Sequence, residues 1–179
     1  MHVELGCGKG IFMAQTACLH PDVNFLAVDM ISEMLVLAKR NIENAYQTCG
    51  LDIGNVRLFT QNIEYIDSVL GPEDRADRIY INFCNPWPRK KHNKRRLTHP
   101  RQLEKYKIFL KPGGEVWFKT DDDGLFEDSI PYFEESGFTI RYQTGDLHSS
   151  GFADSPATEH ERMFTEMGIP TKFLIAVRN

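Results

Sequence analysis

The sequence predicts an α/β protein built on a mostly parallel sheet with helices on both faces. Three observations carry that prediction. Short apolar segments alternate with helical patterns along the whole chain, as crossover-connected parallel strands require. A glycine-rich turn, Gly6-Cys7-Gly8-Lys9-Gly10, follows the first apolar segment directly. Residues able to do chemistry recur just past the ends of the predicted strands, where open α/β sheets bind their ligands.

Residues 2–5 read as a short buried strand, and the glycines turn the chain into a helix over 11–19. Val23 to Val28 is a second apolar strand ending at Asp29. Ile31, Met34, Leu35, Ala38, Ile42 and Ala45 then recur on one helical face, and Gly50 stops that helix. Val56 to Phe59 is the third strand, leading to Gln61-Asn62 and a short helix around 63–70 that Gly71-Pro72 ends. Arg78 to Phe83 is the fourth strand. Residues 84–98 lose all periodicity and carry Pro86, Pro88 and a basic run, so they read as a loop. Pro100 opens a helix to about Leu110, and Lys111-Pro112-Gly113-Gly114 reads as a turn before a strand at 115–119. A helix around 123–136, interrupted or restarted at Pro131, precedes a strand at 138–144. A flexible loop at 145–156, a helix at 157–167 and a strand at 171–177 complete the chain.

One domain suits 179 residues, and no boundary or repeat divides them. No apolar run is long enough to span a membrane, and the start lacks the pattern of a secretory signal. The four cysteines are scattered without a Cys-x-x-Cys pair, which argues against a zinc site or a disulfide framework and favours a cytoplasmic protein. The six histidines show no metal-ligand spacing, so no metal is expected. Net charge is -4, but seven of the 21 basic residues fall within 89–101, a stretch without an acid. The rest of the chain is strongly acidic, so the block is a local electrostatic footprint that proposes a nucleic-acid partner.

Four constellations carry chemistry. In the first, Gly6, Gly8 and Gly10 let the backbone turn tightly and approach a ligand, with Glu4 before them and Asp29 one strand later. The spacing is not that of dinucleotide enzymes. Asp29 can accept hydrogen bonds from ribose hydroxyls, and a Glu4 carboxylate suits a cationic cofactor and repels a pyrophosphate. Asn62 either meets a nucleobase edge or caps the following turn. The second is Asn85-Pro86-Trp87-Pro88, a stiff loop at a strand end that can hold Asn85 beside a reacting base and offer Trp87 for stacking or for the core. In the third, Arg89 to Arg96, Lys and Arg stand at a density that neutralises phosphates. The fourth is Thr158-Glu159-His160-Glu161, whose spacing is that of a capping box and which can also present a helix start to a ligand.

In this order, these pieces resemble the bacterial tRNA (guanine-N7-)-methyltransferases. The matching segments are Val3 to Gly10, Asn82 to Pro88, His92 to Thr98, Phe118 to Asp121 and Thr158 to Glu161, spread over nearly the whole chain. The resemblance implies a Rossmann-like class I methyltransferase fold, a seven-stranded sheet whose last strand is antiparallel. It implies methyl transfer from S-adenosylmethionine to guanine N7 in the variable loop of tRNA. By position, it assigns Glu4, Asp29, Asn62 and Asn85 to the cofactor, together with Gly6, Gly8 and Gly10, and makes Asn85 the catalytic position. Arg89, Asp121, Thr158, Glu159, His160 and Glu161 fall at the substrate site, and Lys91, His92, Asn93, Lys94, Arg95 and Arg96 form the RNA-contacting run.

Two departures stand out. The family commonly has Asp at the position of Asn85 and Lys at that of Arg89, and an uncharged Asn85 cannot act as a general base. The first strand also begins almost at Met1, where family members carry a preceding segment, so a shortened form is expected. Two other readings remain open from the residues: an adenine amino-group methyltransferase, since Asn-Pro-Trp-Pro is close to the motif of those enzymes, and a tRNA-binding homologue without turnover. Monomer and homodimer are equally compatible with the sequence.

Overall fold

A computed structural model describes residues 1–179. Seven strands, β1 (His2–Leu5), β2 (Phe25–Asp29), β3 (Val56–Thr60), β4 (Ala76–Asn82), β5 (Leu110–Thr120), β6 (Phe138–Thr144) and β7 (Lys172–Arg178), form one sheet in the order β3-β2-β1-β4-β5-β7-β6. The pairings among β3, β2, β1, β4 and β5 are parallel, and β7 runs antiparallel between β5 and β6. Five helices cover the sheet: α1 (Ile11–Leu19), α2 (Ser32–Cys49), α3 (Pro100–Phe109), α4 (Asp123–Glu135) and α5 (Glu159–Glu166). No helix is long and apolar enough to cross a membrane.

The alternation of side chains along each strand divides the core in two. Val3 and Leu5, Ile79 and Ile81, and Val116 and Phe118 face α3 and α4, packing with Leu103, Tyr106, Leu125 and Phe133. Tyr80 and Trp117 face the other way, toward Phe12, Met13, Leu35 and Ile42 of α1 and α2. The same period of two sends Glu4, Asn82 and Lys119 to the α1 side, at the carboxyl ends of three adjacent strands. β1 and β4 are neighbours in the sheet, and the strand order reverses between them. A crevice is expected at that reversal.

Five local details differ from the sequence reading. The segment after Asn62 is a 3-10 helix, Ile63–Ser68, and the basic loop contains another, Lys90–Arg95. Residues 111–114 do not end a helix and start a strand, because β5 begins at Leu110 and bulges. Ala76 pairs with Leu110 and Arg78 with Glu115, so Lys111 to Gly114 stand out of the ladder, with Gly113 at φ 75°. Pro131 sits inside a continuous α4. The 145–156 loop is not free of the core: Leu147 is buried, and Phe152 packs against Trp117, Tyr142 and Phe173.

Candidate active site

A cavity of about 480 Å³ opens between the ends of β1 and β4. Its floor is Glu4 and Asn82, one wall is the glycine turn with Phe12, and the facing wall is Phe83 with Thr158, Glu159, His160 and Met163. The turn can line a cavity because Gly6 and Gly8 take φ of 81° and 51°, and a Cβ on either would meet nothing within 4 Å. The open space there is on the ligand side. Gly10 differs. A Cβ on it would lie 2.7 Å from Cβ of Ala38, so this glycine serves the close approach of α1 to α2, and it does not line the cavity.

Glu4 is 2% exposed. Asn82 Nδ2 donates to its Oε1 at 3.0 Å, while Oε2 is buried without any partner. Burial pushes the carboxyl up to about 8, against the Asn82 hydrogen bond and the Lys119 charge, and with help from Asp29. An orphaned, partly neutralised acid at the floor of a cavity is a seat for a cationic ligand group. Asp29 is buried beside it but turned to the backbone: Oδ2 accepts from Gly8 N at 2.8 Å and Oδ1 from Ile31 N at 2.9 Å. It thereby fixes the glycine turn against the start of α2, and each oxygen keeps a second lone pair for a hydroxyl.

Asn62 is exposed, outside the cavity wall, and accepts from Glu64 N at 3.0 Å, so it caps the 3-10 helix. Asn85 also lies outside the wall. Its Oδ1 accepts from Trp87 N at 3.0 Å, and the loop around it is held in unusual backbone: Phe83 at φ 51° and Trp87 at φ 44° are both left-handed without being glycine. Such conformations persist only where surroundings impose them. The surroundings here are Arg96 and two rings. Arg96 Nε donates to the Pro86 carbonyl at 2.8 Å and Nη1 pairs with Asp128 at 2.5 Å. Phe83 stacks on His160 with centroids 5.7 Å apart.

The basic run is not uniform. Arg89, Lys91, Lys94 and Arg95 are exposed, and His92 and Asn93 are half-buried. Arg95 lies over the Trp87 ring at 5.0 Å, with the His92 ring 5.8 Å from it. Arg96, unlike its neighbours in the run, is 4% exposed and turned onto the loop and α4. Asp121 directly follows β5, where its carbonyl accepts from Lys172 Nζ at 2.8 Å and its charge reaches the half-buried Cys84 of the Asn85 loop.

Thr158 to Glu161 form the capping box their spacing predicts. Thr158 Oγ1 accepts from Glu161 N at 2.9 Å, and Glu161 Oε2 accepts from Thr158 N at 3.1 Å. Glu159 and His160 are exposed to the cavity, and Glu159 reaches across its mouth to Lys9 at 3.2 Å. Glu161 is 2% exposed and turned inward, onto Lys119 and the Thr158 amide, and is not part of the cavity lining. Its partner, Lys119, lies in a segment matched to the family but is given no role by the sequence. Only the alternation along β5, counted from the buried Trp117, could have shown that Lys119 faces the site. No group of three or more His, Cys, Asp or Glu side chains is placed to hold a metal ion.

A family model described as "Putative methyltransferase" matches residues 1–174. A tRNA (guanine-N(7)-)-methyltransferase of Clostridium botulinum is 56% identical over 99% of this chain and 81% of its own length. That of Ruminiclostridium cellulolyticum is 58% identical over 98% of this chain and 75% of its own. Among solved structures, TrmN from Thermus thermophilus is similar at a TM-score of 0.65 with 19% identity, over 99% of this chain and 43% of that one. The N-methyltransferase NodS from Bradyrhizobium japonicum, in complex with S-adenosyl-l-homocysteine, is similar at 0.64 with 12% identity, over 99% and 76%. At those identities the likeness is one of fold, the class I methyltransferase sheet with its antiparallel β7. More than half of the residues are shared with the curated relatives over nearly the full chain, and this chain therefore belongs to the tRNA (guanine-N(7)-)-methyltransferase family.

Proposed function

We propose that this protein transfers a methyl group from S-adenosylmethionine to N7 of a guanine in the variable loop of tRNA, in the cytoplasm. The observation that carries the reading is the cavity at the strand switch, with its orphaned Glu4 carboxylate, in a chain that shares 52–58% of its residues with proteins named for this reaction. The residues fit the cofactor: Gly6 and Gly8 leave room for it against bare backbone, and Glu4 Oε2 needs a cationic donor. When bound, the cofactor supplies a methyl group made electrophilic by a sulfonium. Guanine N7 already carries an in-plane lone pair, so no proton must leave before that methyl is attacked. In that transfer the S–C electron pair would remain on the sulfur and the positive charge would pass to the base, with Glu4 and the glycine turn holding the cofactor.

The protein's task is then positioning. Asn85 at the family's Asp position offers a donor and an acceptor but no base. Its oxygen holds the Trp87 amide, and its amide group is free to orient a base. Arg89, Lys91, Lys94 and Arg95 supply exposed positive charge for phosphates, with the Trp87 ring among them. Glu159 and His160 line the side of the cavity nearest that loop, and Asp121 stands beside it.

Single-turnover transfer from labelled S-adenosylmethionine to unmodified tRNA tests the reading, with the product mapped by chain cleavage at N7-methylguanine. Label at one variable-loop guanine is the expected result. Label on an adenine amino group, or cofactor binding with no transfer, would overturn it. Asn85→Ala is expected to slow transfer at least tenfold with cofactor affinity retained; full turnover in that variant would remove Asn85 from the orienting role.

A further inference from the structure

Lys119 lies behind the cavity, paired in the sheet with Asn82 of its floor. It is 1% exposed, on β5, on the same sheet face as Glu4 and Asn82, with its ammonium 5.7 Å from the Phe12 ring. Nζ donates to Glu161 Oε2 at 2.7 Å and to the Pro156 carbonyl at 3.1 Å. Glu161 Oε2 is the same atom that accepts from Thr158 N, and His148 Nε2 stands 3.6 Å from its other oxygen. One ammonium therefore ties β5, the 145–156 loop and the first turn of α5 together. Folding by itself does not call for such a group, since apolar replacement of a buried ion pair is often neutral or stabilising. Its place on the same sheet face as Glu4 and Asn82, which floor the cavity, points to function.

We propose that Lys119 is a positioning residue for both substrates: it seats the first turn of α5, which presents Glu159 and His160, and it holds a positive charge toward Glu4 on the cofactor side. The proposal rests on the methyltransferase reading above. Glu4 is faced by Asn82 and Tyr80 of β4, Asp29 of β2, Cys7 of the glycine turn and Lys119 of β5, and α1 brings the uncharged Phe12. Lys119 is the one cation in that set. Lys119 itself is faced by Glu161 of α5 and Glu4, with His148 beyond Glu161. Without Lys119, Glu4 is harder to ionise, so a cationic ligand is weakened most where Glu4 is still protonated. Without Glu161, the charge facing Glu4 remains and only the α5 wall is loosened.

The test is calorimetric titration with S-adenosylhomocysteine of the unaltered chain, Lys119→Met and Glu161→Gln, at about pH 7 and about pH 9, alongside the KM for tRNA. The ligand's own titration is common to all three proteins and cancels in their ratios. Lys119→Met is expected to lose roughly tenfold in affinity near pH 7 and only about twofold near pH 9, as a one-unit rise in the Glu4 pKa requires. Glu161→Gln is expected to keep cofactor affinity within about twofold while its KM for tRNA rises several-fold. An equal loss at both pH values in Lys119→Met, as a merely structural role gives, would overturn the proposal. So would a Glu161→Gln that weakens cofactor and leaves the KM for tRNA unchanged, and that variant decides the matter if Lys119→Met does not fold. Failure of the unaltered chain to bind S-adenosylhomocysteine would instead remove the methyltransferase reading, and this inference with it.

Discussion

The glycine turn after β1 and the basic loop after β4 leave neighbouring strands at the same end of the sheet, yet they are built on opposite terms. The turn is partly buried, with two buried acids, Glu4 and Asp29, behind it. Its geometry is set by backbone, with Asp29 accepting from Gly8 and Ile31 amides and Gly10 pressed against Ala38. The loop is basic and mostly exposed, and its geometry is set by side chains, Arg96 on Pro86 and Asp128 and Arg95 on Trp87. Desolvation makes the Glu4 charge behind the turn pH-sensitive, whereas water and salt screen the charges of the loop. A small ligand suits the first arrangement. A polyanion, whose many phosphates each add a little, suits the second.

Breaking the turn has the largest expected effect. Gly10→Ala places a Cβ 2.7 Å from that of Ala38 in left-handed backbone, and about 2–4 kcal/mol of stability is expected to disappear in chemical denaturation. A variant as stable as the parent would mean that α1 and α2 can separate freely, contrary to their close contact at Gly10 and Ala38. Next comes the loop's own anchor. Arg96→Ala is expected to cost about 1–3 kcal/mol, since it leaves the Pro86 carbonyl without its donor, and to reduce methyl transfer as the loop loosens. Arg95→Ala, one residue away and exposed, is expected to change stability by no more than about 0.5 kcal/mol. Equal effects of the two would erase the distinction drawn within the run.

The pH dependence of the turn sharpens the comparison. Glu4 is pushed up to about 8 by burial, from an ordinary value of 4.5. Between those values the native state holds a proton that the unfolded state has released. Glu4 therefore contributes stability that falls as pH rises across that window. Cofactor affinity runs the other way, because the carboxylate is the form that meets a cation. It is expected to increase up to about tenfold per pH unit below 8 and then level off, as calorimetry across the range would show. A flat profile would separate Glu4 from the cofactor. The smallest effect belongs to a single exposed lysine. Lys94→Ala is expected to leave stability and cofactor affinity alone and to lower the slope of log affinity for tRNA against log salt by about one. A larger change would make Lys94 part of the loop's framework.

Much of this division was legible in the residues. The alternation of strands and helices, the glycine turn, the capping box at Thr158 and the basic loop all follow local rules of periodicity, backbone freedom and capping, which neighbouring residues suffice to express. What local rules could not reach is direction. Asn62 by itself reads more as a cap than as a ligand contact, and its side chain does accept from the Glu64 amide. Arg96 looked like its neighbours in the run, but Asp128, on a helix distant in sequence, turns it inward. Gly10 looked like Gly6 and Gly8 until Ala38 arrived beside it.

The sequence by itself determined the fold class, the order of its elements and the two chemically distinct loops, because periodicity and turn chemistry act over a few residues. Tertiary structure alone decided which charges are buried and which meet water. Glu4, Lys119 and Glu161 come from three separate segments, and their meeting depends on strand order and on the packing of α5 against the sheet. Desolvation depends on every segment that arrives around a group, so no stretch of sequence read alone contains it.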